Sequence, residues 1–268
     1  MVSLLEVSHL SKTFYPTPTF SQIIRKGLRK YPLEVLKDAH LTLREGDLYC
    51  LMGPNGAGKT TLLKILCGLI LPENGLFRLF GETLSFEHPR LRGLFGLVTG
   101  EERSFYWRLT GRQNLEFFAA FYSLPRKELK KQIEEFSSLL HLEGHLDKYF
   151  FTYSTGMKQQ LGLCRGLLGD PKVLLLDEPT RSLDPVAAQE WRCFLREVLL
   201  EKKKKTVLYT THQPEEAATF SSRIGILHRG RIVVEGDLAT LKKNAMLEEK
   251  ATLFDVFLNV MKGNSHVP

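Results

Sequence analysis

Gly53-Pro54-Asn55-Gly56-Ala57-Gly58-Lys59-Thr60-Thr61 lies between the apolar run Asp47–Met52 and the apolar stretch Lys59–Gly68. The first run reads as a strand and the second as a helix, so the glycine-rich segment is the loop between them. Three glycines let the backbone curl until its N–H groups face inward. The helix that follows adds the positive end of its dipole. Together they make a concave site for anions. The spacing GxxxxGK[ST] suits the phosphates of a nucleotide: Lys59 reaches them as a point charge, and Thr60 offers a hydroxyl to Mg²⁺. The plain alternative is a structural turn, which the strand–loop–helix setting disfavours.

A second segment, Val173-Leu174-Leu175-Leu176-Asp177-Glu178-Pro179, is an apolar strand ending in two carboxylates. At the carboxyl end of a parallel strand such side chains face the ligand crevice. Asp177 is placed to hold Mg²⁺ through water, which leaves Glu178 to orient or deprotonate the attacking water. Taken alone, the pair would read as a helix start, where acidic residues are common. Beside a phosphate loop, the catalytic reading takes over.

Working outward, Met1–Leu10, Val35–Leu43 and Leu76–Phe80 read as strands. So do Val173–Leu176 and Thr206–Thr210, fully apolar or β-branched, as strands buried on both faces of a parallel sheet are. Ile224–Leu227 and Arg231–Glu235 flank Arg229-Gly230 as a hairpin. From about Thr110 to Leu142 the period is helical, with stripes Leu115/Phe118/Ala119/Tyr122 and Leu129/Ile133/Phe136/Leu140. Another helix is expected between Ser154 and Leu168, and the tail after Leu238 is also helical. The fold class is therefore α/β, with a helical lobe inserted at about residues 85–165. The expected division is a nucleotide-binding domain over 1–237 and a helical tail over 238–268.

The bulk numbers fit one large globular unit of 268 residues. No apolar run approaches the roughly 20 residues of a membrane-spanning helix, and Met1–Leu10 lacks the pattern of a signal peptide. Cys50, Cys67, Cys164 and Cys193 are far apart and carry no metal-ligand spacing, so reduced, mostly buried thiols are expected. The formal net charge of +7 suits anionic partners without choosing among them. Part of it sits in Lys202–Lys205, read as a solvated helix end.

With these motifs in place, the chain resembles the nucleotide-binding subunits of ABC transporters over nearly its whole length. Tyr153-Ser154-Thr155-Gly156-Met157 is similar to the family signature Leu-Ser-Gly-Gly-Gln. Ser154 and Gly156 are kept, while Thr155 and Met157 depart from it. This form resembles the ABC-2 group, mostly exporters. Ser182-Leu183-Asp184-Pro185 looks like the family's D-loop. His212, at the end of Thr210-Thr211-His212, matches the histidine that contacts the γ-phosphate. Phe14 or Tyr15 falls where the family stacks an aromatic on adenine.

The resemblance implies a P-loop core of mixed or parallel sheet, an antiparallel N-terminal β subdomain and ATP hydrolysis with Mg²⁺. It implies Lys59, Glu178 and His212 as catalytic residues. It also implies a head-to-tail dimer, identical or not, in which Ser154 and its neighbours face the partner's ATP. The remaining partner is an integral membrane permease, with this chain on the cytoplasmic face of the membrane. One departure stands out: aligning Leu97-Val98-Thr99-Gly100 puts Gly100 where the family usually has a glutamine, with Glu101 and Glu102 next.

An extra stretch at about 16–32 places Phe20, Ile23, Ile24, Leu28 and Tyr31 opposite Arg25, Lys26, Arg29 and Lys30 on a helix. Two readings stand: docking on an anionic membrane surface or a partner, or a solvated insertion covering the domain itself. A non-transport role in nucleic-acid maintenance is the alternative function. Those relatives carry long coiled-coil arms between the two motifs, and this interval has no sustained heptads, so no nucleic-acid partner is expected.

Overall fold

The computed structural model describes residues 3–17, 31–91, 93–100, 105–122, 124–181 and 183–263. Most of the 16–32 insertion, together with Glu101, Glu102 and Ser182, lies outside them.

The strands are β1 (Ser3–Phe14), β2 (Leu33–Arg44), β3 (Leu48–Met52), β4 (Asn74–Leu79), β5 (Glu82–Leu84), β6 (Phe95–Thr99), β7 (Val173–Asp177), β8 (Thr206–Thr211), β9 (Arg223–His228) and β10 (Arg231–Gly236). The helices are α1 (Lys59–Leu66), α2 (Gly111–Ala119), α3 (Arg126–Leu139), α4 (Thr155–Leu167), α5 (Pro185–Cys193), α6 (Pro214–Phe220), α7 (Leu238–Asn244) and α8 (Leu253–Met261). A π-helical stretch, Phe194–Lys202, continues α5.

Two sheets form. One is antiparallel in the order β2-β1-β4-β5; the other runs β10-β9-β3-β8-β7-β6, with only β10 antiparallel to its neighbour. The period of two along β3 shows how both faces of the second sheet are filled. Leu48, Cys50 and Met52 enter the core shared with the lobe helices and α5–α8, while Tyr49 and Leu51 enter the core under α1 and the antiparallel sheet. All five residues of β3 are buried, as a doubly covered parallel strand requires.

Two expectations are corrected. Within the span 85–165 read as a helical lobe, Phe95–Thr99 is the edge strand β6, paired parallel with β7. Its five residues are too few to separate a strand from a helical turn by period alone. The helices of the lobe begin after it, at the Thr110 capping box of α2. The lysine run is also less solvated than its composition suggests: Lys205 is buried and pairs with Asp170 at 2.5 Å, and Lys203 pairs with Glu135. The tail helices share the main core through Leu241, Leu253, Val256 and Val260.

Candidate functional site

The parallel register brings the ends of β3, β7 and β8 side by side: Asp177 is opposite Thr210, and Met52 is opposite Thr211. From β3 the chain turns through Gly53–Gly58 into α1. Gly58 has φ 109°, a left-handed conformation open to glycine, and forms the N-cap of α1 without a side-chain cap. At Gly53 a Cβ atom would lie 2.4 Å from the Leu227 carbonyl oxygen. The first turn of α1 thus keeps its N–H groups for a ligand, with no acidic residue nearby in that turn.

Lys59 leaves the start of α1 and folds back over this loop. Its Nζ donates to the carbonyl oxygens of Gly53 (2.7 Å) and Pro54 (3.2 Å) and lies 3.7 Å from Glu178 Oε1. Burial of its ammonium holds the Lys59 pKa below 10.5, against the pull of Glu178 and Asp177. Asp177 is clasped on both oxygens: the hydroxyls of Thr60 and Thr210 each donate to it at 2.7 Å. A hydroxyl and a carboxylate are hard oxygen donors, the set that Mg²⁺ takes.

Glu178 adopts φ 47°, rare for a non-glycine residue and frequent at functional sites. Its N–H donates to Thr210 Oγ1 at 3.0 Å, which pins the backbone. Its carboxylate meets His212 Nδ1 at 3.3 Å and Arg181 at 3.2 Å, as well as Lys59. The cleft in front of these groups has a volume of about 810 Å³, in the range of nucleotide-sized sites. Its lining includes Phe14, Leu33 and Val35, the loop residues Asn55 and Gly56, and Thr99, Gly100 and Gln159. Of the two candidate aromatics, Phe14 lines the cleft; Tyr15 is 60% exposed and is not part of its wall.

Ser154 is the N-cap of α4, accepting the Met157 N–H at 3.2 Å. Ser154 and Thr155 are exposed, Gly156 and Met157 half-buried, and none of the four lines the cleft that holds Lys59. Asp184 caps α5 by accepting the N–H groups of Val186 and Ala187, and the side chain of Leu183 packs on the core.

Four site residues were not anticipated from sequence: Thr210, Arg181, Gln159 and Glu216. Thr210 had been read only as part of a strand. Glu216, buried, accepts from Thr180 at 2.6 Å and Thr211 at 2.7 Å, with Arg192 at 3.6 Å. It therefore ties the loop after Glu178 to the residue before His212. Nothing local distinguishes it from the other acidic residue, Glu215, in the first turn of α6.

The ABC transporter family profile matches residues 36–181, more than half of the chain. This chain belongs to that family. The ABC transporter ATP-binding protein NatA of Bacillus subtilis (strain 168) is 29% identical over 84% of this chain and 91% of its own length. The bacitracin transport ATP-binding protein BcrA of Enterococcus faecalis is 34% identical over 83% of this chain and 70% of its own. Among solved structures, an ATP-binding subunit of an ABC transporter superposes with a TM-score of 0.74 at 26% identity, covering 96% of this chain and 99% of the other. A dimeric ATP-binding cassette in a post-hydrolysis state with ADP and phosphate gives 0.71 at 24% identity, covering 87% and 98%. As a member of the family, the chain is the ATP-binding, ATP-hydrolysing subunit of an ABC transporter.

Proposed function

We propose that this ATPase drives an ABC-2 type exporter, pairing with a second ATPase subunit around two ATP molecules and pulling on a separate membrane permease from the cytoplasmic face. One observation carries the pairing. The chain has one phosphate loop and one signature turn, and Ser154 and Thr155 of that turn stand exposed, outside the chain's own cleft. An N-capped helix start is an anion site, so a partner's γ-phosphate is its natural ligand.

Within the cleft, the loop N–H groups and Lys59 bind the phosphates and Phe14 stacks on adenine. Bound Mg²⁺, held through Thr60 and Asp177, would neutralise phosphate charge. Glu178 takes the proton of the attacking water, and His212 meets the γ-phosphate and steadies Glu178. Loss of that phosphate weakens the interface, which is the power stroke.

The form of the signature turn, Tyr153-Ser154-Thr155-Gly156-Met157, favours export as the direction. A permease contact is favoured by an exposed aromatic patch on the lobe. Tyr106, Trp107, Phe117 and Phe121 are all exposed, with Tyr106–Phe117 and Phe117–Phe121 ring contacts of 4.7 and 5.8 Å. Contiguous apolar surface of this kind marks interaction sites. Among the described residues, no helix is long and apolar enough to cross a membrane. The ATPase unit is taken as residues 1–237 and the tail as 238–268, whose helices α7 and α8 pack on the core.

Sedimentation of Glu178→Gln with ATP tests the pairing. An ATP-dependent dimer, lost when Ser154→Arg is added, is the expected result. Monomers at every ATP concentration would refute it.

A further inference from the structure

The paired strands β1 and β2 carry a second cluster that ATP hydrolysis does not use. His9 Nδ1 lies 2.8 Å from Asp38 Oδ1, and His40 Nε2 lies 3.2 Å from the same oxygen. One ligand atom from each of the three residues falls within 4.8 Å of the other two. The two imidazoles stand edge to face with centroids 4.7 Å apart. Donors at about 2.0–2.1 Å around a tetrahedral ion are separated by roughly 3.3 Å, so small rotamer changes bring these atoms onto one ion.

The backbone departs from a regular ladder to make this cluster. His9 (φ 55°) and Asp38 (φ 52°) are both left-handed, where side chains other than glycine's are uncommon. The pairing of β1 with β2 shifts register between Val7 and Leu10, on either side of His9. On β2 the buried residues Leu36 and Ala39 are three apart, which breaks the alternation at Asp38. A bulge re-aims a side chain. Here two irregularities facing one another turn all three groups to the outer face, where each is more than half exposed.

We propose that His9, Asp38 and His40 form a surface site for a late first-row divalent ion, Zn²⁺ foremost, bridging β1 and β2. Two imidazoles and one carboxylate are a ligand set that Zn²⁺ takes with an open fourth position; a site holding Mg²⁺ or Ca²⁺ would be built of oxygen donors. The exposure of the cluster leaves that fourth position to water or to a further ligand. The ion would close a loop across the chain between residues 9 and 38. The same two strands end in the Phe14–Leu33 pair, and both residues wall the nucleotide cleft. A bound ion would therefore stiffen the sheet that presents Phe14. The site is independent of the transport reading and would stand if that reading failed.

The test is calorimetric titration of the metal-stripped, nucleotide-free chain with ZnCl₂, comparing wild type with His9→Ala/His40→Ala and with Asp38→Asn. The expected result is one equivalent bound by wild type that weakens about tenfold or more in either variant. Zn²⁺ should also raise the melting temperature of wild type and not of the double variant, because binding to the native state alone stabilises it. Co²⁺ in place of Zn²⁺ should give the visible absorption of a four-coordinate ion in wild type only. All three residues are exposed and outside the nucleotide site, so unchanged ATPase activity shows that the variants are folded. Equal Zn²⁺ stoichiometry and affinity in wild type and the double variant would overturn the proposal.

Discussion

Replacing Thr210 by valine keeps the shape of the side chain and deletes one oxygen. That oxygen is fully buried, donates to Asp177 at 2.7 Å and accepts the Glu178 N–H at 3.0 Å. A hydrogen bond to a charged group is worth about 1.5–3 kcal/mol and a neutral one about 1 kcal/mol. Asp177 is half-buried and water can replace part of its loss, so the sum is about 3 kcal/mol. Urea unfolding followed by circular dichroism measures it, provided the slope with denaturant is unchanged. Thr206→Val is the control on the same strand. It removes the bond from the Gly46 N–H at 3.0 Å and a long one to the Arg44 carbonyl at 3.5 Å, neither of them in the nucleotide cleft, and should cost about 1 kcal/mol with wild-type turnover. Thr210→Val should also slow ATP hydrolysis about tenfold or more, because 1.4 kcal/mol of misplaced support for Asp177 and Glu178 is a factor of ten in rate. A Thr210→Val protein as stable and as active as Thr206→Val would refute the view that this hydroxyl organises the carboxylate pair.

Glu216→Ala unties Thr180 from Thr211 and leaves Arg192 without its buried partner; a stability loss of about 3 kcal/mol by urea titration is expected, with a fall in turnover at saturating ATP. Lys59→Ala should weaken ATP binding and hydrolysis together, measured by calorimetry and phosphate release. The depressed Lys59 pKa has a pH signature. Between that value and 10.5 the unfolded chain binds the proton more strongly, so this residue's contribution to stability rises with pH. ATP favours the charged form, so nucleotide affinity should fall as pH rises through that window and binding should take up protons. Burial pushes the Cys50 thiol up to about 12 and raises the Cys164 thiol as well, whereas Cys193 is exposed. Because the thiolate is the reacting form, a disulfide reagent at pH 8 should modify Cys193 first, and Cys193→Ser should abolish the fast phase.

The residues proposed to act on phosphate could be read from the sequence because the motif is local. Gly53–Thr61 needs only its own backbone and the first turn of α1, so the motif and its immediate neighbours contain the argument. Asp177 and Glu178 were legible because an apolar strand ending in two carboxylates is unusual next to such a loop. The helix start at Ser154 follows from a capping side chain three residues from the N–H it accepts.

What tertiary structure alone decided are relations between distant segments. Sheet pairing sets Thr210 beside Asp177, 33 residues away; side-chain packing joins Glu216 to Thr180, 36 away. The choice of Phe14 over Tyr15 depends on where β1 ends, since Phe14 is its last residue, paired with Leu33 at the cleft, and Tyr15 lies past it; the place of β6 depends on its pairing with β7. His9, Asp38 and His40 gather because two strands slip out of register at facing points. No local spacing records such contacts, since each energy term belongs to two parts of the chain that meet only after the sheets have formed.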